Sequence, residues 1–198
     1  MDRTRRPSTL PLPAVAAGLA AVALALALPV RAGESVEEKF EKTYEGRGID
    51  RLRLQNVNGA VRVGTWEKAH IRVSAVKRAK GSRAEEALAQ TQIRVTKQGS
   101  AIDVETLLPE QGRRWGIFRW GDRAGAEVSY DLTLPAGLEI EVETVNGRVS
   151  ADRRAGRTTL STVNGSVLVE EQAAPLHVNT VNGSVEVVFA GPLQATDL

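Results

Sequence analysis

From Ile49 onward, apolar and polar residues alternate in short runs, the period-2 pattern of half-buried strands. Runs at 49–57, 60–66, 70–76, 93–96, 101–107, 128–134 and 138–145 predict strands. In the third of these, Ile71, Val73 and Ala75 share one face. One stretch breaks the pattern. Ser82-Arg83-Ala84-Glu85 has the form of a capping box and predicts a helix running to about Gln92. Ala and Leu lie between Glu85, Glu86, Gln90 and Gln92, so this helix reads as an amphipathic cover for an open end of the β structure. Residues 109–124 read as a Gly- and Arg-rich loop, and residues 33–45 as a charged linker.

A repeat organises the C-terminal half. Thr-Val-Asn-Gly occurs at 144–147, 162–165 and 180–183, with 18 residues between successive glycines. Each copy leads into a short alternation: Arg148-Val149-Ser150, Ser166-Val167-Leu168-Val169 and Ser184-Val185-Glu186-Val187. A related copy lies upstream, Asn56-Val57-Asn58-Gly59-Ala60-Val61-Arg62-Val63. A fixed period near 20 residues marks a repeat architecture. Asn-Gly tolerates positive φ and so marks a tight corner. The corners are placed at Asn58-Gly59, Asn146-Gly147, Asn164-Gly165 and Asn182-Gly183. Two all-β arrangements suit this spacing. In one, Asn-Gly closes hairpins in an antiparallel meander or sandwich. In the other, each repeat of ~18 residues is one coil of a β-solenoid or β-helix-like stack, with like residues in ladders along the axis. Identical residues at identical positions favour the stack, interrupted by one short inserted helix.

The first residues read as an address. Arg3, Arg5 and Arg6 precede an apolar Ala/Leu-rich run from Ala14 to Val30, and Val30-Arg31-Ala32 offers a cleavage site after Ala32. This is the order of a secretory signal peptide over 1–32; the alternative is an anchor kept uncleaved. The domain is then 46–198. Its last residues, Leu193-Gln194-Ala195-Thr196, echo Leu176-His177-Val178-Asn179 without a further Asn-Gly, which reads as a cap or as a truncation.

Composition narrows the chemistry. The chain has no Cys, which excludes disulfides, thiolate metal sites and a Cys nucleophile. The full chain carries +2, but 1–32 holds Arg3, Arg5, Arg6 and Arg31 against Asp2. Without that segment 22 basic residues face 23 acidic ones, so no net basic charge favours nucleic acid. The distribution is uneven: 46–123 carries +8 and 124–198 carries −6. His70 and His177 have no ligand-like neighbours in sequence, and no metal or cofactor site is predicted.

Three groups of residues are candidates for function. Arg113, Arg114, Trp115, Phe118, Arg119, Trp120 and Arg123 gather aromatics and guanidiniums suited to stacking on sugars or entering an anionic membrane interface. The bland reading of this group is a cap over one end of the stack. The row Thr144, Thr162 and Thr180 could present hydroxyls to a flat polymer, or could satisfy backbone groups at the corners. Glu139, Glu141 and Glu143 share one strand face, and Glu170-Glu171 lie at a coil end. Glycoside chemistry needs two carboxylates converging across a cleft, so an exposed row argues against an enzyme.

The order of leader, strand–Asn-Val-Asn-Gly–strand, capped helix, two strands, Leu134-Pro135-Ala136-Gly137-Leu138 and stacked Thr-Val-Asn-Gly-Ser-Val units resembles the bacterial putative-adhesin domains of the toast-rack β-solenoid type. The resemblance covers about residues 45–198. It implies a secreted, periplasmic or cell-surface location and a non-enzymatic role as a binding or scaffold domain. Expected partners are an envelope glycan, the membrane surface or another envelope protein. The other readings are a polysaccharide lyase or hydrolase, and a structural or regulatory envelope protein pairing end to end with another β domain.

Overall fold

A computed structural model of the chain describes residues 35–108 and 125–189. The expected leader at 1–32 and the aromatic and Arg segment at 113–123 lie outside the described residues. In chain order the elements are β1 (Ser35–Glu45), β2 (Arg51–Gln55), β3 (Val61–Trp66), β4 (His70–Lys80), α1 (Ala84–Gln90), β5 (Gln92–Gln98), β6 (Ala101–Leu107), β7 (Glu127–Pro135), β8 (Glu139–Asn146), β9 (Val149–Asp152), β10 (Thr158–Asn164), β11 (Val167–Gln172), β12 (Leu176–Asn182) and β13 (Val185–Phe189).

The chain is mostly β, in two mixed sheets around a shared apolar interior. One sheet has the order β1-β4-β7-β3-β9-β11-β13, the other β5-β6-β2-β8-β10-β12. The two strands flanking each Asn-Gly belong to different sheets, so the corners do not close hairpins. The repeat strands pair in parallel at the 18-residue offset: Thr144 with Thr162 and Thr162 with Thr180 in one sheet, Val149 with Val167 and Val167 with Val185 in the other. This corrects the meander alternative for the repeat. Antiparallel pairing is confined to β1–β4, β4–β7 and β5–β6.

Each strand pair joined by a corner forms one rung. The β2–β3 rung lies in the middle, with β6 and β7 on one side and β8 and β9 on the other. Inward residues line up between rungs. Leu52 meets Ile140, Leu54 meets Val142, and Val142 meets Leu160. All of these, with Val61, Val63, Val149, Val167 and Val169, are buried. The period-2 pattern therefore becomes a continuous apolar interior, the dominant stabilising term for such a fold.

Three boundaries differ from the sequence reading. The segment 33–45 is not a linker: Ser35–Glu45 is an edge strand along the whole of β4. Its Glu and Lys residues hide the alternation of Val36, Phe40 and Tyr44, and charge of this kind guards an edge against unwanted pairing. β4 runs on to Lys80 because inward positions continue at Lys77 and Ala79, both buried. The capping box does not form. Helix α1 begins at Ala84 without a side-chain cap hydrogen bond, and Gln92 already belongs to β5. Its C-terminal end is satisfied instead by Lys77, whose Nζ donates to the carbonyls of Leu88 (3.2 Å) and Thr91 (3.1 Å) and meets Glu38 at 2.9 Å. A buried ammonium at a helix C-terminus complements the carbonyl dipoles there. α1 packs Ala84 and Leu88 on Ala79 and Ala126, and so covers the β1/β4 end of the structure.

The corners explain the glycines. A Cβ on Gly147 would lie 2.1 Å from the Gly59 carbonyl oxygen, and one on Gly165 or Gly183 would lie 2.0 Å from the carbonyl oxygen of the glycine one rung below. Only glycine allows the corners to stack. Gly165→Ala is expected to cost about 2–3 kcal/mol. Gly137→Ala, which meets nothing within 4 Å, should change stability by less than about 0.5 kcal/mol. Equal urea midpoints for the two variants would rule out corner stacking as the reason for these glycines.

Candidate functional site

The four Asn-Gly corners form one edge of the stack. Asn146 Nδ2 donates to Asn58 Oδ1 (2.7 Å), Asn164 Nδ2 to Asn146 Oδ1 (2.8 Å) and Asn182 Nδ2 to Asn164 Oδ1 (2.9 Å). The backbone repeats the theme. Gly59, Gly147 and Gly165 N–H donate to the carbonyls of Asn146, Asn164 and Asn182 at 2.9, 3.1 and 3.0 Å. The side-chain ladder thus donates toward the β2–β3 rung, while the glycine amides donate away from it. Val145 and Val163 are 39% exposed on the same edge and Val181 is 69% exposed, so an apolar strip runs beside the amides.

The threonine row points inward. Thr144 and Thr162 are buried in line with Val142 and Leu160. Thr162 Oγ1 donates to the Gly147 carbonyl (3.3 Å) and Thr180 Oγ1 to that of Gly165 (3.1 Å). The hydroxyls of Thr162 and Thr180 therefore brace the corner from inside, that of Thr144 is buried without a hydrogen bond among the described residues, and the row does not form an array presented to a polymer. Strand parity explains this: Thr158, Leu160 and Thr162 lie on one face, and Val163 and Asn164 bend outward with the corner.

A sealed polar network sits behind the first corner. Asn56 Nδ2 donates to the carbonyls of Val128 (2.9 Å) and Gly59 (3.3 Å). Asn56 Oδ1 accepts from Thr106 Oγ1 (2.9 Å), which in turn accepts from the Tyr130 hydroxyl (2.7 Å). All three side chains are buried. Burial pushes the Tyr130 phenol up to about 12, with the Thr106 hydrogen bond opposing the shift. This network ties β2, β6 and β7 together where the chain leaves at Leu108 and returns at Gly125. A Cβ on Gly125 would lie 2.7 Å from Leu108 Cδ2, so the two stems of the 109–124 segment touch. Thr91 Oγ1 accepts from the Ala126 amide (3.0 Å) and pins the returning stem to the end of α1. The segment that carries Trp115, Phe118 and Trp120 therefore departs from the Asn edge, at the rung beside Asn58-Gly59.

The opposite edge uses different chemistry. Arg153 and Glu171, 18 residues apart, have φ of 51° and 54°. Each precedes a buried polar side chain. Arg154 donates from Nη1 to the Pro135 carbonyl (3.0 Å) and from Nη2 to the Leu138 carbonyl, and Gln172 donates to Ala174 (2.8 Å). Burial lowers the Arg154 guanidinium to about 10, still charged at neutral pH. Sequence reading missed this second set of corners, though the recurrence of Arg153-Arg154 as Glu171-Gln172 at the repeat spacing was the available signal.

The carboxylate row lies on the open outer face. Glu143 is held by Gln55 (2.8 Å) and Arg53 (3.3 Å), and Glu141 lies 3.6 Å from Arg53. Register places Asp103 on the other side of Arg53. The uneven charge of the chain is thus partly matched across the β2–β8 seam. A shallow groove of about 260 Å³ runs over this face past Arg53, Gln55, Arg94 and Glu105, and another of about 400 Å³ passes Asp50, Gly137, Glu139 and Arg157. His70 and His177 are both exposed, and among the described residues no three His, Asp or Glu side chains form a metal-binding group.

No protein-family profile and no curated protein matches this chain. Two solved structures are similar in shape. One is a putative cell adhesion protein of Clostridium sporogenes, 9% identical, covering 76% of this chain and 98% of its own, with a TM-score of 0.44. The other is a putative adhesin of Bacteroides fragilis, 7% identical, covering 76% of this chain and 97% of its own, with a TM-score of 0.26. At this identity and overlap, function has to be argued from the chain's own residues.

The sealed network has a spectroscopic signature. A native value above the ordinary 10.0 means that the neutral phenol favours the folded state. That contribution is complete below pH 10 and is lost as pH rises toward about 12. In an alkaline titration followed by phenolate absorbance, Tyr130 should ionise near pH 12, and Tyr130→Phe should abolish that last step. Ionisation of Tyr130 near pH 10 in the folded protein would contradict the geometry.

Proposed function

We propose that this chain is an exported, non-enzymatic domain of the cell envelope, a β-solenoid of adhesin-like type that acts by presenting its surface. The observation that carries this reading is where the described chain breaks off before residue 109 and resumes after residue 124. The two stems meet at Leu108 and Gly125, on a braced edge already lined by exposed Val and Asn side chains. Arg113, Arg114, Trp115, Phe118, Arg119, Trp120 and Arg123 belong to the segment between them, and they supply the contacts to an envelope glycan or an anionic membrane surface. The stack behind them serves as a rigid spacer. The ion-paired, open setting of Glu141 and Glu143 supports a surface role over glycoside chemistry. The basic, apolar, small-residue order of 1–32 supports export.

The test is co-sedimentation of the protein with peptidoglycan, anionic liposomes and envelope polysaccharide. The parent should pellet with one of them. Trp115→Ala/Trp120→Ala, with an unchanged β-type circular dichroism spectrum, should lose at least about tenfold in affinity, the scale of removing two aromatic contacts. Equal binding by a folded double variant removes the 109–124 segment from the site.

A specific observation favours a second reading, end-to-end pairing with another β domain. At the far end β12 and β13 have no strand beyond them among the described residues. Val181, Val185 (45%), Val188 (49%) and Phe189 (41%) are exposed there. Parallel edges that carry apolar side chains and a single charge, Glu186, invite strand addition. Sedimentation velocity should then show concentration-dependent association that Val185→Lys abolishes, whereas a monomer at all concentrations excludes self-pairing through this end.

A further inference from the structure

The four Asn-Gly corners share one local sequence, Val-Asn-Gly, yet they differ in how tightly their reactive atoms are held. Asn-Gly is chemically labile. The glycine amide nitrogen, losing its proton to hydroxide, attacks the asparagine Cγ, and the Cγ–Nδ2 bond breaks. The side-chain nitrogen leaves as ammonia after taking its proton from water. Water then opens the cyclic imide at either carbonyl, giving aspartate or isoaspartate, so the net reaction is Asn plus water to Asp plus ammonia. Both groups that must move are engaged at the inner corners. Gly59, Gly147 and Gly165 N–H each donate to the Asn carbonyl of the next rung. Asn58, Asn146 and Asn164 each accept on Oδ1 from the next asparagine.

Asn182-Gly183 is the last corner of the ladder among the described residues. Asn182 donates through Nδ2 to Asn164, but among the described residues nothing donates to its Oδ1 and Gly183 N–H donates to nothing. Exposure of the asparagine side chain does not separate Asn146, Asn164 and Asn182, which are all exposed, whereas Asn58 is half-buried. We propose that Asn182 is a built-in hydrolytic modification site, converted by water alone while the other three corners are protected by their neighbours. Opening two hydrogen bonds of ordinary net strength slows an inner corner about 30-fold relative to the terminal one. The product acts on the last rung. A carboxylate at 182 has no N–H for Asn164 Oδ1, and isoaspartate adds a backbone methylene where Gly183 stacks against the Gly165 carbonyl. The modification would therefore loosen β12 and β13 and add a negative charge to the exposed apolar end.

The test needs no variant. The purified chain is held in mildly alkaline buffer, shown to stay folded by circular dichroism, and sampled by peptide mapping with enzymatic isoaspartate methylation as a second readout. A parallel sample is held in urea. In the folded protein Asn182 should convert about 30-fold faster than Asn146 and Asn164, and about fivefold faster than Asn58, whose Nδ2 donates to nothing among the described residues. In urea all four should convert at comparable rates, because their local sequences match. Conversion of Asn182 as slow as the rest in the folded protein overturns the proposal, as does a persistent lead for Asn182 in urea, which would trace the difference to sequence and not to the ladder.

Discussion

The structure depends on how closely one corner can sit on another. Neighbouring strands in a sheet are fixed near 4.8 Å apart, so corners that join them must stack at the same spacing. At that distance each corner carbonyl occupies the place of the next residue's Cβ, 2.0 to 2.1 Å away for Gly147, Gly165 and Gly183. Glycine makes the approach, and the asparagine beside it turns it into a bond by handing an amide to its neighbour. The register follows. With Asn on Asn, Thr falls on Thr and Val on Val, and a slip of one residue would turn every apolar side chain of the interior outward. The inward threonines then close the corner from below.

The two ends of the stack are finished differently. At one end β1 and β5 run antiparallel to their neighbours, and β1 carries Glu37, Glu38, Lys39, Glu41, Lys42 and Glu45. Helix α1 lies over that end, held by Lys77 and Thr91. These are the usual defences of a sheet edge. At the other end β12 and β13 carry a single charge, Glu186, and no cover among the described residues, and their inward Leu176, Val178 and Val187 are only partly buried. Among the described residues, then, one end is charged and covered while the other leaves apolar side chains exposed.

Much of the repeat was legible because its signal is local. The 18-residue spacing and the invariance of Asn-Gly report directly on stacking, and strand alternation reports on burial. What escaped is what depends on distant partners. The edge strand β1 reads as charged linker until β4 is beside it. Arg154 is fully buried with its guanidinium on the turn carbonyls of Pro135 and Leu138, partners 19 and 16 residues away. Thr106, Asn56 and Tyr130 lie far apart in sequence and become one network only when β2, β6 and β7 assemble. The capping box failed for a related reason: the short helix is held at its far end, by Lys77 on the Leu88 and Thr91 carbonyls, and has no side-chain cap at its start. The candidate site was legible as composition, in the Arg and aromatic cluster at 113–123. The edge from which that segment leaves was not, because it is defined by pairing between β2, β6 and β8.

The central place of the β2–β3 rung has a kinetic side. Strands made early in synthesis are flanked on one face by β6 and β7 and on the other by β8 and β9. The contact between Arg53 and Glu143 spans 90 residues. Closing loops of that length costs entropy before any burial repays it, which makes such topologies slow to fold. The later rungs, each 18 residues from the last, add readily once a platform exists. Their platform is the middle rung, and β8 is the first strand that reaches it from their side. In a nascent chain the pairing edges of β2 and β3 toward β8 and β9 therefore stay open until residues from 139 onward arrive, and each later rung has its template only once the rung before it is in place, like a zipper whose slider must first travel the length of the chain.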